Sequence, residues 1–146
     1  MERTILFRGI IKYPDDIFKG FWYGNLIIYA NGDTFIRQIE TGQEFEVIPE
    51  TVGQFTGLTD KNGVMIFEGD MCFNSNKTLL TCPEDKRLYL VKWQEGKYIE
   101  TGGPTWLGKN PSFIFEKINN DKNYMSLIFN QSQIEVIGNI HDKHVL

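Results

Sequence analysis

Glu68 and Asp70 stand two residues apart in the run VMIFEGD. On an extended strand such a pair shares a face about 6–7 Å apart, a separation open to general acid and base work. Asp15 and Asp16 form a second acidic pair. Neither pair has a histidine close to it in the chain. Gly69, between Glu68 and Asp70, offers a simpler account: Asp70 bonds turn amides after a glycine bulge, and Glu68 faces water. That account is preferred, and no catalytic residue is assigned.

Gly103 to Lys109, GPTWLGK, has the G-x-x-x-x-G-K spacing of a phosphate-binding loop. Asn110 stands where a Ser or Thr should hold magnesium, and Pro111 and a strand-like run follow where a helix N-terminus should cradle the anion. The segment reads as a solvent loop. Asp60, Asn62 and Gly63 match the third, fifth and sixth positions of a calcium loop, but Leu58 and Gly69 fall where its first and last carboxylates belong. Zinc could draw on Cys72, Cys82, His141 and His144, yet the nine residues between the cysteines far exceed the short interval of structural zinc sites. Cys72 reads as a small buried thiol, and His141 and His144 as solvated. No metal and no cofactor is expected.

A different chemistry is suggested by Tyr89, Trp93, Tyr98, Trp106, Phe113 and Phe115, with Lys86, Arg87, Lys92, Lys97 and Lys109 interleaved. Aromatic faces beside cations can stack single-stranded bases. Tyr89, Val91 and Trp93 alternate on one strand face, however, and such a stripe more often builds a core. Trp93, Tyr98, Trp106 and Lys109 are the candidate interaction surface. The net charge of -4 gives no overall attraction to phosphates, so protein contacts are preferred to nucleic acid.

These residues need a scaffold, and the chain points to a mainly β one. Short apolar runs with partial alternation are separated by Gly, Asn, Asp and Pro clusters, and long helical periodicity is absent. Strands are expected near 5–11, 21–30, 34–39, 44–48, 64–73, 87–93, 112–117, 125–129 and 134–140. Asn31-Gly32-Asp33 and Thr41-Gly42 suit reversals, which makes the first part a meander with Ile36 facing opposite to Phe35, Arg37 and Ile39. Pro49 to Gly53 predicts a turn or a single helical turn, and Asp60-Lys61-Asn62-Gly63 a hairpin reversal. A boundary near residue 54 divides the chain into units 1–54 and 55–146. Residues 74–86, 96–111 and 118–123 read as loops.

At 146 residues with 41% hydrophobic and 14% aromatic content, the chain can bury roughly 68–70% of its unfolded surface without a covalent staple. The N-terminal MERTILFRGI lacks the layout of a secretory signal, and no run reaches the ~20 apolar residues of a membrane helix. Both expectations place the protein in the cytoplasm with reduced cysteines and no membrane partner. The triplets at Asn76 and Asn130 then carry no glycan.

VGQFTGLTDKNGVMIFEGDM, together with FRG at Phe7–Gly9, FWYGNLI at Phe21–Ile27 and EVIGNIHD at Glu135–Asp142, resembles the YopX family of bacteriophage and prophage proteins. The resemblance implies a β meander followed by an SH3-like roll or barrel, and it brings no reaction and no catalytic residue with it. This chain ends in Lys143-His144-Val145-Leu146 where members commonly carry an Asn-Pro-Glu-Leu-like tail. The function expected is that of a non-enzymatic phage or prophage accessory protein in the bacterial cytoplasm. It self-associates and binds a host or phage protein, and a nucleic-acid-binding regulator of phage genes is the alternative.

Overall fold

The computed structural model describes residues 3–74, 88–94, 112–117 and 134–142. Four short strands open the chain as an antiparallel meander: β1 (Phe7–Ile10), β2 (Phe21–Ile28), β3 (Thr34–Arg37) and β4 (Glu44–Glu46). A single 3-10 turn, Pro49–Thr51, starts at a proline whose fixed φ suits a first helical position. Its Thr51 hydroxyl accepts from Ile10 N–H at 2.9 Å and donates to Ile48 O at 2.6 Å, which locks the turn onto β1.

The chain then forms β5 (Gly53–Thr59) and β6 (Met65–Phe67), and the first sheet runs β4-β3-β2-β1-β5-β6. The second sheet consists of β7 (Asp70–Asn74), β8 (Leu88–Gln94), β9 (Ser112–Lys117) and β10 (Ile134–Asn139), in the order β10-β7-β8-β9. All of these pairings are antiparallel. The protein is thus mainly β, as its alternation and turn residues require.

Two hairpin reversals share one geometry. At Tyr29–Asp33 and at Asp60–Val64, the first residue's N–H donates to the fifth residue's carbonyl, and the glycine in fourth place donates back to the first. Gly32 and Gly63 take positive φ, while Asn31 and Asn62 do not. The asparagine in each Asn-Gly pair therefore stays right-handed, and only the glycine supplies the left-handed step.

The expected strand over 64–73 is divided. Gly69, at φ +90°, turns the chain between β6 and β7 and sends them into different sheets. Its N–H donates to Val91 O at 2.8 Å and its carbonyl accepts from Ile140 N–H at 3.0 Å, so the turn is fastened on both sides. Glu68 and Asp70 consequently do not share a continuous strand face. No strand is expected at β5 from its sequence, because QFTGLT is polar and glycine-broken. Gly57, at φ +86°, lies where the β5–β6 register shifts. The expected loop 74–86 begins a residue late, since Asn74 ends β7, and its remainder, the strand 125–129 and the loops 96–111 and 118–123 lie outside the described residues.

Under the first sheet, Ile10, Ile11, Ile36, Val47, Phe55 and Phe67 are buried. Ile36 faces inward while Arg37 and Ile39 are exposed, as the meander pattern predicts. The second sheet closes on Cys72, Tyr89, Val91 and Ile134, and Ile66 from β6 completes this cluster. A residue of the first sheet thus fills the core of the second. At Gly53, an added Cβ would lie 2.5 Å from Glu68 O, so only glycine admits this close approach of β5 to the β6–β7 link.

Candidate functional site

The buried polar residues cluster where the N-terminal, central and C-terminal segments meet. Arg8 and Asp70, 62 positions apart, pair at 2.5 Å with side chains 8% and 2% exposed. The guanidinium lies between the Phe21 and Phe67 rings, 4.3 and 4.6 Å from their centroids. A planar, weakly hydrated cation suits that slot in a way that a lysine ammonium would not. Arg8 Nε is buried and has no hydrogen-bond partner among the described residues.

Asp70 is tied further. It accepts from Phe67 N–H at 2.8 Å, and its other oxygen accepts from Asn139 Nδ2 at 3.3 Å as well as from Arg8. Asn139 Oδ1 accepts from His141 N–H, and Asp142 accepts from Asn139 N–H. The FRG, EGDM and GNIHD blocks are therefore one network. The bond from Phe67 N–H is the turn-amide role expected of Asp70; its ion pair with Arg8 was not foreseen. Type and spacing gave no signal for a partner so far along the chain.

Asp60 makes a second tie. Its Oδ1 accepts from the N–H groups of Asn62 and Val64, and its Oδ2 from Val136 N–H at 2.9 Å, while Lys61 N–H donates to Ile134 O. Burial raises the pKa of Asp60, but the donors from Val136, Val64 and Asn62, with Lys61 beside them, outweigh it and hold the carboxyl below the usual range. The Asp60 carboxylate is thus engaged both in its own turn and in the tie to β10. Asp15 is similar: donors from Phe18 and then Ile17 lower its pKa in an exposed turn.

Cys72 is buried, and its pKa is pushed up to about 12 by burial, with Asp70 and Asp60 adding to the effect. It is a buried thiol of the second sheet's core. Among the described residues no group of three or more His, Cys, Asp and Glu side chains is placed to hold a metal. Cys82 and His144 lie outside the described residues. His141 is half-buried rather than solvated, because the Asn139–Asp142 turn folds it against the seam between the sheets.

That seam carries a cleft of about 320 Å³. Its walls include Glu50 of the 3-10 turn, Val52, Glu68 at the β6–β7 link, Lys92 and Trp93 of β8, and His141. Tyr89 and Val91 are core, as the stripe on β8 predicts, but Trp93 is 44% exposed at the end of that stripe. Its ring packs edge-on against Phe113 at 4.9 Å. Lys92 is paired with Glu116. Of the other candidate surface residues, Tyr98, Trp106 and Lys109 lie outside the described residues, so Trp93 alone is placed.

This geometry defines a mainly β, two-sheet protein whose most distinctive sequence blocks form a buried polar staple. The family model described as "YopX protein" matches residues 6–146, and the chain belongs to the YopX family. No curated protein matches it. Among solved structures it is similar to protein EF1440 from Enterococcus faecalis, known as a crystal structure, with 20% identity over 97% of this chain and 96% of that one and a TM-score of 0.51. At that identity the likeness concerns the fold alone. No helix among the described residues is long and apolar enough to cross a membrane.

Proposed function

We propose that the protein is a non-enzymatic phage or prophage accessory factor that acts in the bacterial cytoplasm through protein contacts, including contacts with a second copy of itself. The observation that carries this reading is a set of exposed apolar side chains on two adjoining elements. Leu58, Val64 and Met65 lie on and beside the β5–β6 hairpin, and Ile137 lies on β10. The Asp60 bond to Val136 N–H holds the hairpin against β10. β10 pairs with β7 and with no other described strand, and exposed apolar side chains gathered on adjoining elements suit association. The SH3-like description of the second unit, and the division near residue 54, belong to the same proposal.

A nucleic-acid regulator is supported less well. Trp93 could stack a base, but Glu50 and Glu68 line the same cleft and would repel the phosphates that follow it.

Light scattering across a concentration series tests the reading. A mass that rises above the monomer, and returns to it in Met65→Glu/Ile137→Lys, is the expected result. A monomer at every concentration, together with no protein recovered by affinity capture from prophage-induced cells, overturns it.

A further inference from the structure

We infer that the cleft at the seam between the sheets receives a cationic side chain, an arginine above all, presented by a segment of a partner protein. The inference rests on the protein-contact reading and names the chemistry of one such contact. Three observations meet in the cleft. Trp93 offers a half-exposed indole, the ring type that binds cations best over its face. Glu50 and Glu68 bring two carboxylates that make no ion pair or side-chain hydrogen bond among the described residues. Among the described residues of the lining the one lysine, Lys92, is paired with Glu116.

The contrast within the molecule sharpens the charge argument. Arg37 holds Glu44, Lys12 holds Glu46 and Lys61 holds Glu135, whereas Glu50 and Glu68 line the cleft and form no ion pair among the described residues. At about 320 Å³ the cleft stands at the lower end of small-molecule sites. It suits one long side chain with its main-chain flanks. The wall at Val52 can cover the methylenes of an arginine while its planar head meets carboxylates and ring.

The test uses the full chain, labelled with nitrogen-15, and the acetylated, amidated tripeptide Gly-Arg-Gly, with its neutral citrulline counterpart as the control. Saturable shifts at the Trp93 indole and at the amides of Glu68, Gly69 and His141 are expected with the arginine peptide. They should weaken with added salt and be absent with citrulline. In Glu50→Gln/Glu68→Gln the arginine affinity should fall about tenfold, the scale of two exposed charge contacts, with the remaining spectrum unchanged. Equal shifts with citrulline, or shifts centred elsewhere, overturn the inference. So does perturbation of the cleft by protein concentration alone, which assigns it to a second copy, or by an oligodeoxythymidine, which assigns it to nucleic acid. Arginine binding by a protein that stays monomeric and captures no partner would leave the cleft standing and remove the wider reading.

Discussion

The Arg8–Asp70–Asn139 staple and the seam cleft are neighbours with opposite treatments of polar groups. In the staple, carboxylate, amide and guanidinium face one another under two phenylalanine rings, and Asp70 is essentially sealed from water. In the cleft, two carboxylates that have no partner among the described residues stand beside a half-exposed indole. A saturated buried network positions chain segments and has nothing left to offer a ligand. An unsaturated concave one still has interactions to make. Glu68, Gly69 and Asp70 show the division within three residues: the turn at Gly69 sends Asp70 into the staple and leaves Glu68 on the cleft.

The largest effect should come from breaking the staple. Asp70→Asn leaves the Arg8 charge buried without its counter-ion and should cost about 3–5 kcal/mol, read as the urea midpoint of unfolding. Arg8→Lys keeps the charge but gives up the planar fit between Phe21 and Phe67, so a loss of about 1–3 kcal/mol is expected. A second-site change at Asp70 in the Arg8→Lys background should then cost less than Asp70→Asn alone, since the two residues share one interaction.

Asp60→Asn comes next, at about 2 kcal/mol near neutral pH, because an amide oxygen accepts less strongly from the N–H groups that hold the hairpin to β10. The folded-state pKa of Asp60 is lowered, so its contribution is complete above the unfolded value of about 3.9 and is lost as pH falls through the folded one. Unfolding curves at pH 7 and in acid check the sign. The gap between wild type and Asp60→Asn should be widest at pH 7 and close in strong acid.

Gly53→Ala probes the ground beneath both regions. Its Cβ would meet Glu68 O at 2.5 Å, and moving β5 away from the link should cost about 1–3 kcal/mol. Hydrogen exchange should then quicken at Glu68, whose N–H donates to Gln54 O.

What the chain discloses in advance follows the range of the interactions. The meander, its turns and the core side of β3 are local, and the alternation at Ile36 and the glycines at 32, 42 and 63 make them readable. β5 was hidden because its Gln, Thr and Gly composition becomes a strand only by lying between β1 and β6. The strand expected over 64–73 broke at one glycine whose φ depends on anchors at Val91 and Ile140, both distant in sequence. Asp70 was recognised as a turn residue, but its partner Arg8 comes from another strand. The residue type alone marks Trp93, yet its exposure depends on where the β8 stripe leaves the core. Glu50 had no reading as a site residue, since nothing in the order of residues brings it to Glu68.

The smallest expected effect separates the two regions most sharply. Glu50→Gln/Glu68→Gln should leave the unfolding free energy within about 0.5 kcal/mol of wild type, because neither carboxylate stabilises a described partner. The same pair of changes should remove most of the arginine response. A residue pair built for folding cannot give that combination, since uncoupling its charges must lower stability along with any binding. Equilibrium denaturation and the arginine-peptide titration on one preparation therefore decide together whether the seam acts as a site or merely as part of the staple beside it.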